Sequence, residues 1–294
     1  MPQTYRPLQA ALWMCGSITS FSAMAVAGRY VSQVHSTFEI MAFRSLVGLF
    51  IVLGLGAASR RLGEIQGARL KQHFFRNLFH FTGQNLWFFA LAAIPLAQVF
   101  ALEFTTPVWV ILLSFAFLGE RLTGSKIVAA CLGFVGILVV ARPDFGSLDP
   151  GLITAAMSAV FFAATIIMTK ALTRHESIVS ILFWLTGIQL CFGFVALVLQ
   201  TSIAWPTLAT LPWLLVIGAA GLLAHHCLTI SLSLAPASFV MPIDFARLPL
   251  IVLIGALLFG EKADAFILLG GGIIILANWI NIRGGKRVAA AAAN

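Results

Sequence analysis

Ile94-Pro95-Leu96-Ala97-Gln98-Val99-Phe100-Ala101-Leu102-Glu103 and, 141 residues later, Ala235-Pro236-Ala237-Ser238-Phe239-Val240-Met241-Pro242-Ile243-Asp244 are two versions of one pattern. Each has a proline at its second position and an acidic residue eight places further on, inside an otherwise apolar run. The same offset lays Gly119-Glu120 on Gly260-Glu261, Ser17 on Ser158, Arg29 on Lys170 and Gln84-Asn85 on His225-His226, without a gap. Chance supplies one such coincidence, not charge for charge and proline for proline at a single spacing. The chain therefore divides into two related halves, residues 1–146 and 147–294.

Composition says what the halves are made of. Of 294 residues 60% are hydrophobic and 10% charged, against about 45–50% and about 25% in globular proteins. A soluble domain with these proportions lacks the polar surface to cover itself, and disorder is excluded on the same grounds. Ten apolar runs stand out: Leu8–Val31, Phe38–Gly56, Asn77–Ala93, Val99–Leu118, Ile127–Ala141, Leu152–Ala171, Val179–Gln200, Trp213–Leu234, Phe239–Phe259 and Ala265–Ile282. Several are apolar around their whole circumference, as a lipid-embedded helix is. The sequence predicts an all-α polytopic membrane protein of ten transmembrane helices, five in each half. The first run, with Arg6 before it and Ala25-Val26-Ala27-Gly28 near its end, resembles a signal peptide. The repeat requires it as a span. Cys15, Cys131, Cys191 and Cys227 lie inside apolar runs with no metal-ligand or CxxC spacing, so packing is their expected role.

Five is odd, so the second half enters the bilayer from the opposite side and is inverted relative to the first. Inverted repeats build secondary transporters, with the substrate site near the membrane midplane. The basic residues follow the same plan. Taking loops by their expected side, 13 Lys and Arg fall with the N-terminus, Arg76 among them, and 3 fall opposite. The net charge of +8 is therefore loop bias rather than a nucleic-acid surface, and it puts both termini in the cytoplasm.

Phe117-Leu118-Gly119-Glu120-Arg121-Leu122, followed by an apolar helix through Gly133 and Gly136 to Arg142-Pro143, resembles the end of an EamA domain, and Leu258-Phe259-Gly260-Glu261-Lys262 repeats it. Ile94-Pro95-Leu96-Ala97 and Leu234-Ala235-Pro236-Ala237-Ser238 resemble the joint before the fourth helix of that unit. The chain is thus similar to two tandem EamA units of the drug/metabolite transporter superfamily, and within it most like the YddG-type exporters of aromatic amino acids. The resemblance implies alternating access, with the fifth helix of each unit peripheral and the other four lining a central cavity. The cluster Gly270-Gly271-Gly272 departs from the family's glycine spacing and leaves the packing of the last helix open.

Ionisable residues inside spans are costly and mark candidate sites. Glu103 lies eight residues past Pro95, roughly 12 Å into a core about 30 Å thick, and Asp244 lies equally deep from the other face. Arg247 shares a helix face with Asp244, and Arg44 lies in the second span. Two acids and two arginines balance. Either they pair to fix helix packing, or an arginine holds the carboxylate of a zwitterion while an acid faces its ammonium. Gln84, Asn85, His225 and His226 fall near mid-depth; each could serve an interhelical hydrogen bond, and one of each adjacent pair should face inward. Adjacent histidines do not converge on one ion, so no metal is expected, and no cofactor. Trp87, Trp109 and Trp184 lie within spans where a flat substrate could stack. Pro242 and Pro249 bracket the charged pair and distort the ninth span.

The expected function is export of an amino acid with a large apolar or aromatic side chain across the inner membrane. The alternatives are a carrier of anionic metabolites such as sugar phosphates or nucleotide sugars, disfavoured by the balanced charges, and a membrane enzyme or receptor, for which no nucleophile or phosphate-loop motif is present. The partners are then the substrate and the lipid bilayer, with no nucleic acid. The topology is tested by labelling intact cells with an impermeant thiol reagent: Ile65→Cys should stay unlabelled and Thr207→Cys should react, and the reverse pattern would overturn it.

Overall fold

The computed structural model describes residues 6–118, 124–141, 149–235, 240, 243–262 and 264–293. Among these, the α-helices are α1 (Pro7–Val31), α2 (Thr37–Ala58), α3 (Leu70–Ala93), α4 (Leu96–Glu103), α5 (Thr106–Leu118), α6 (Gly124–Ala141), α7 (Pro150–Leu172), α8 (Ile178–Val198), α9 (Leu211–Leu234), α10 (Arg247–Phe259) and α11 (Ala265–Ala293). Helices α4 and α5 form one rod broken at Phe104-Thr105, so ten rods result, in register with the ten apolar runs. Six stretches are long and apolar enough to cross a membrane by themselves: α1, α2, Leu96–Leu113, α7, α8 and α9. The outer surface carries Leu8, Phe50, Leu55, Phe194, Val198 and Leu257, all exposed, which suits lipid and not water. Cys15, Cys131 and Cys191 share that exposed surface and only Cys227 is buried, so packing accounts for one cysteine rather than four.

The 141-residue offset holds at the level of helix ends. Helices α3 and α9 coincide at both ends, α2 and α8 begin at equivalent residues, α1 and α7 end at equivalent residues, and α6 and α11 start together. Contacts follow the same symmetry. Helix α1 packs on α9 as α7 packs on α3, while α2 packs on its mate α8 and α6 on its mate α11. The two halves interlock instead of forming separate bodies. The boundary expected at residues 146 and 147, and the Gly119-Glu120 motif, lie outside the described residues.

Polar devices at the helix ends are also repeated. Ser36 and Glu39 form a reciprocal capping box at the start of α2, and Ser177, the mate of Ser36, caps α8 by accepting from Ser180 N at 3.1 Å. Arg29 Nη1 donates to Leu91 O and, at 2.6 Å, to Ile94 O at the end of α3; its mate Lys170 donates to Leu232 O and Ala235 O at 2.5 and 3.2 Å at the end of α9. A cation there satisfies terminal carbonyls and the helix dipole together. Glu261 does more than cap its own helix. After Gly260, at φ +62°, turns the chain, the Glu261 carboxylate accepts from Leu96 N at 3.0 and 3.2 Å at the start of α4 and lies 3.5 Å from Arg29. With Tyr30 stacked on Trp213, ring centroids 4.8 Å apart, this group ties the ends of α1, α4, α9 and α10 together on the side opposite the N-terminus.

Lipid offers no hydrophobic drive for helix association, so close backbone approach matters more than in water. Helices α6 and α11 meet at Gly136 and Gly270, where a Cβ on Gly270 would lie 2.8 Å from Gly136 O and 3.0 Å from Val140 N. The triple-glycine cluster therefore serves the α6–α11 contact, through its first member, whereas nothing lies within 4 Å of a Cβ on Gly272. Gly270→Ala should cost about 1–3 kcal/mol through overpacking, while Gly272→Ala should be neutral or slightly stabilising. Thermal unfolding of the two variants in detergent checks the contrast.

Candidate functional site

The interior holds a partly open cavity. It is lined by α1, α3, the α4–α5 rod, α7, α9 and the start of α10. These are the first, third and fourth rods of each repeat. The second rods, α2 and α8, stand behind this lining rather than in it, which corrects the expectation of four lining helices per unit. The fifth rods, α6 and α11, contribute nothing to it, as expected. Because Arg76, Thr169 and Leu232 lie close to the helix ends on the N-terminal side, the cavity extends from mid-depth toward that side.

Helical spacing puts the polar lining on single faces. On α3, Arg76, His80, Gln84 and Trp87 recur every three or four residues; on α9, His225, Leu228, Thr229 and Leu232 do the same; α7 supplies Phe162, Thr165, Ile166 and Thr169. The broken fourth rods add the rest. Helix α4 ends at Glu103 and α5 begins at Thr106; in the second repeat a 3₁₀ turn, Asp244–Ala246, precedes α10 at Arg247, the mate of Thr106. Thr105 and Thr106 hydroxyls donate to Leu102 O and Glu103 O at 2.7 and 2.6 Å, satisfying carbonyls freed by the break. Pro107 and Pro249 fall in the first turns of the restarted helices, where a missing N–H costs nothing. Pro242 lies outside the described residues.

Two polar clusters face the cavity. In the first, Arg247 Nη2 donates to Glu103 Oε1 at 3.0 Å and to Asp244 Oδ2, and Trp87 Nε1 donates to Glu103 Oε2 at 2.8 Å. The guanidinium carbon lies 4.9, 5.2 and 5.8 Å from the ring centres of Phe100, Phe21 and Phe104. Arg247 is thus tied to two acids through Nη2 and boxed by three rings, while its Nε is buried without a hydrogen-bond partner. The cluster sets two carboxyl groups against one guanidinium, and Asp244 Oδ1 is buried without a hydrogen-bond partner.

In the second cluster Arg76 Nε donates to Thr169 Oγ1 at 3.0 Å and its Nη1 to Asn77 Oδ1 at 3.2 Å. Arg44 Nη1 donates to Gln189 Oε1 at 3.0 Å. Since arginine only donates, the amide oxygen of Gln189 must face Arg44 and its nitrogen must face His80 Nδ1, 2.6 Å away. His80 then accepts at Nδ1 and carries its proton on Nε2, which donates to His225 Nε2 at 3.0 Å. His225 in turn carries its proton on Nδ1. A single direction of hydrogen bonding runs from Arg44 through Gln189 and His80 to the cavity wall.

Of the residues singled out from sequence, Arg247, Asp244, Glu103, Gln84, His225 and Trp87 line this cavity. Arg44 stands one residue behind it. The other four lie elsewhere. Asn85 donates to Phe81 O at 2.8 Å, and His226 packs edge-on against Trp13 at 5.8 Å. Trp109 donates to Thr105 Oγ1 at 3.2 Å and packs on Phe134, and Trp184 donates to Gln66 O at 2.7 Å, pinning the loop before α3. Arg76, only 1% exposed, is the major residue missed, because the charge tally placed it in a loop. Helix α3 begins at Leu70 instead of Asn77 and carries it inside. The i, i+4, i+8 spacing of Arg76, His80 and Gln84 was the available signal.

Arg247→Ala should therefore strip two buried carboxylates of their partner and cost about 3–5 kcal/mol of stability. Neutralising the acids together with it, in Glu103→Gln/Asp244→Asn/Arg247→Met, should restore most of that loss. Thermal unfolding of both variants in detergent measures the difference.

A family model described as the EamA-like transporter family matches residues 8–142 and again 149–283. A riboflavin transporter of Rhizobium johnstonii is 30% identical, over 96% of this chain and 93% of its own. A riboflavin transporter of Vibrio cholerae is also 30% identical, over 93% and 92%. An S-adenosylmethionine uptake transporter of Rickettsia bellii is 25% identical, over 94% of each. A solved crystal structure shares the fold with a TM-score of 0.68 at 18% identity, over 95% of this chain and 98% of its own. With two family units spanning nearly its whole length, the chain belongs to the EamA-like transporter family, and is a secondary transporter of small metabolites rather than an enzyme.

Proposed function

We propose that the chain carries a flat, nitrogen-containing ring metabolite of the riboflavin type across the inner membrane by alternating access, with both termini cytoplasmic. The observation that carries this reading is the cavity wall, which is lined by Phe21, Trp87, Phe104 and Phe162 together with the imidazoles of His80 and His225. Rings of this kind stack on a planar substrate, and ring burial of about 150–250 Å² at about 25 cal/mol per Å² amounts to about 4–6 kcal/mol. The riboflavin transporters at 30% identity support the class. The 13 to 3 charge asymmetry, 12 to 3 once Arg76 is assigned to α3, supports the orientation.

A second reading, an aromatic amino acid, has one observation in its favour. Among the described residues, buried Asp244 Oδ1 lacks a partner in one cluster and Arg76 lacks a carboxylate in the other, so a zwitterion could span the two. Uptake of labelled riboflavin into proteoliposomes separates them. Unlabelled riboflavin should compete strongly, phenylalanine and tryptophan weakly, glycine and glutamate least. Strong flux of tryptophan with no riboflavin competition would select the second reading.

A further inference from the structure

We infer that the Arg76 end of the cavity is an anion-binding subsite, receiving a carboxylate or phosphate of the transported molecule. The inference rests on reading the central cavity as the substrate site. Arg76 and Arg44 are 1% and 5% exposed, inside the membrane-crossing part of the protein. A guanidinium does not shed its proton there, and a charge in that environment is held by an opposite one. Neither arginine has a carboxylate partner among the described residues: Glu103 and Asp244 are taken by Arg247, and the buried Glu176 accepts from Ser180 Oγ beside His73. The partners of Arg76 and Arg44 are neutral acceptors: Thr169 Oγ1, Asn77 Oδ1 and Gln189 Oε1. They orient the forks without cancelling the charge.

Arg76 lines the cavity and uses two of its N–H groups, Nε and one on Nη1; a guanidinium has five. The rest are available to a bidentate anion. Arg44 stands behind it, with Nε buried and unpartnered against Gly221, and adds a second positive charge to the same end. At the opposite end the carboxyl oxygens of Glu103 and Asp244, which accept from Trp87 and Arg247, leave an anion poorly matched. The cavity is therefore polarised, and its occupant lies with its negative group toward Arg76 and its ring against Trp87 and Phe104.

The test uses the purified full chain in detergent, at constant ionic strength, with millimolar sulfate, benzoate, benzamide or chloride, and compares riboflavin with riboflavin 5′-phosphate. Sulfate or benzoate, whichever matches the group, should raise the unfolding temperature above chloride and benzamide. Riboflavin 5′-phosphate or a carboxylated ring should bind about tenfold tighter than its neutral counterpart. Arg76→Gln should abolish both differences. Arg76→Lys, which keeps the charge but not the fork, should retain them in weakened form and covers the case in which Arg76→Gln does not fold. If anions act through Arg76 while no flavin binds, the subsite stands and the heteroaromatic reading falls. If flavins bind but no anion acts, or chloride acts as well as the others, or the effect persists in Arg76→Gln, the subsite is overturned.

Discussion

Three arginines and two acids, Arg44, Arg76, Arg247, Glu103 and Asp244, are held inside the part of the protein that crosses the bilayer, and the cost of keeping them there dictates what surrounds them. Each needs polar partners that lipid cannot supply. The acids receive Arg247 and the indole of Trp87; the remaining arginines receive an amide, a hydroxyl and a glutamine-to-histidine chain. Those partners sit on faces of α3, α7, α8 and α9 that must all point inward, which in turn sets how the rods are rotated. The breaks in the fourth rods belong to the same requirement. Helix α4 ends at Glu103, and the 3₁₀ turn Asp244–Ala246 hands over to α10 at Arg247, so each interruption falls at the charged cluster itself.

Around this interior the scaffold is close to two-fold. The end caps at Ser36 and Ser177, and the cations Arg29 and Lys170 on the terminal carbonyls of α3 and α9, are the same device used twice. Their work is structural, and the structural problem is the same in both halves, since each third rod must end and hand over to a fourth. The Arg29–Glu261–Leu96 group joins the two halves on the face away from the N-terminus, while the cavity extends toward the other face. One end of the pathway is thus tied by ion pairs and helix caps, and the substrate space lies beyond the tie.

The fold was largely legible because its determinants are local. Apolar runs, prolines at joints and the 141-residue offset each translate into a rod or a rod end, and α3 and α9 keep the offset at both termini. The site was legible where a charge lay deep in an apolar run, as for Glu103, Asp244 and Arg247. It was not legible for Arg76 from hydropathy, because the polar first turns of α3, with Lys71 and His73, read like a loop although the helix continues through them. Trp109 and Trp184 show the opposite limit. Depth in a span says nothing about azimuth, and both rings turn to local partners away from the cavity. The pairing of Arg247 depended on a contact between repeats, Glu103 with Arg247, that no spacing within one helix encodes.

The symmetric scaffold encloses an interior that is not symmetric. At the offset of 141 residues Arg76 meets Ile217, Arg44 meets Leu185, His80 meets Gly221, Trp87 meets Leu228, and Arg247 meets Thr106. A pair of identical first halves, assembled on the same axis, would bring two copies each of Arg44 and Arg76 against two copies of Glu103, with no Arg247 and no Gln189 between them. A pair of second halves would have no arginine from the basic cluster at all. The halves have specialised past the point of exchange: ancestry left them the same skeleton, but descent has divided the chemistry of one chamber between them, and neither can now be inherited without the other.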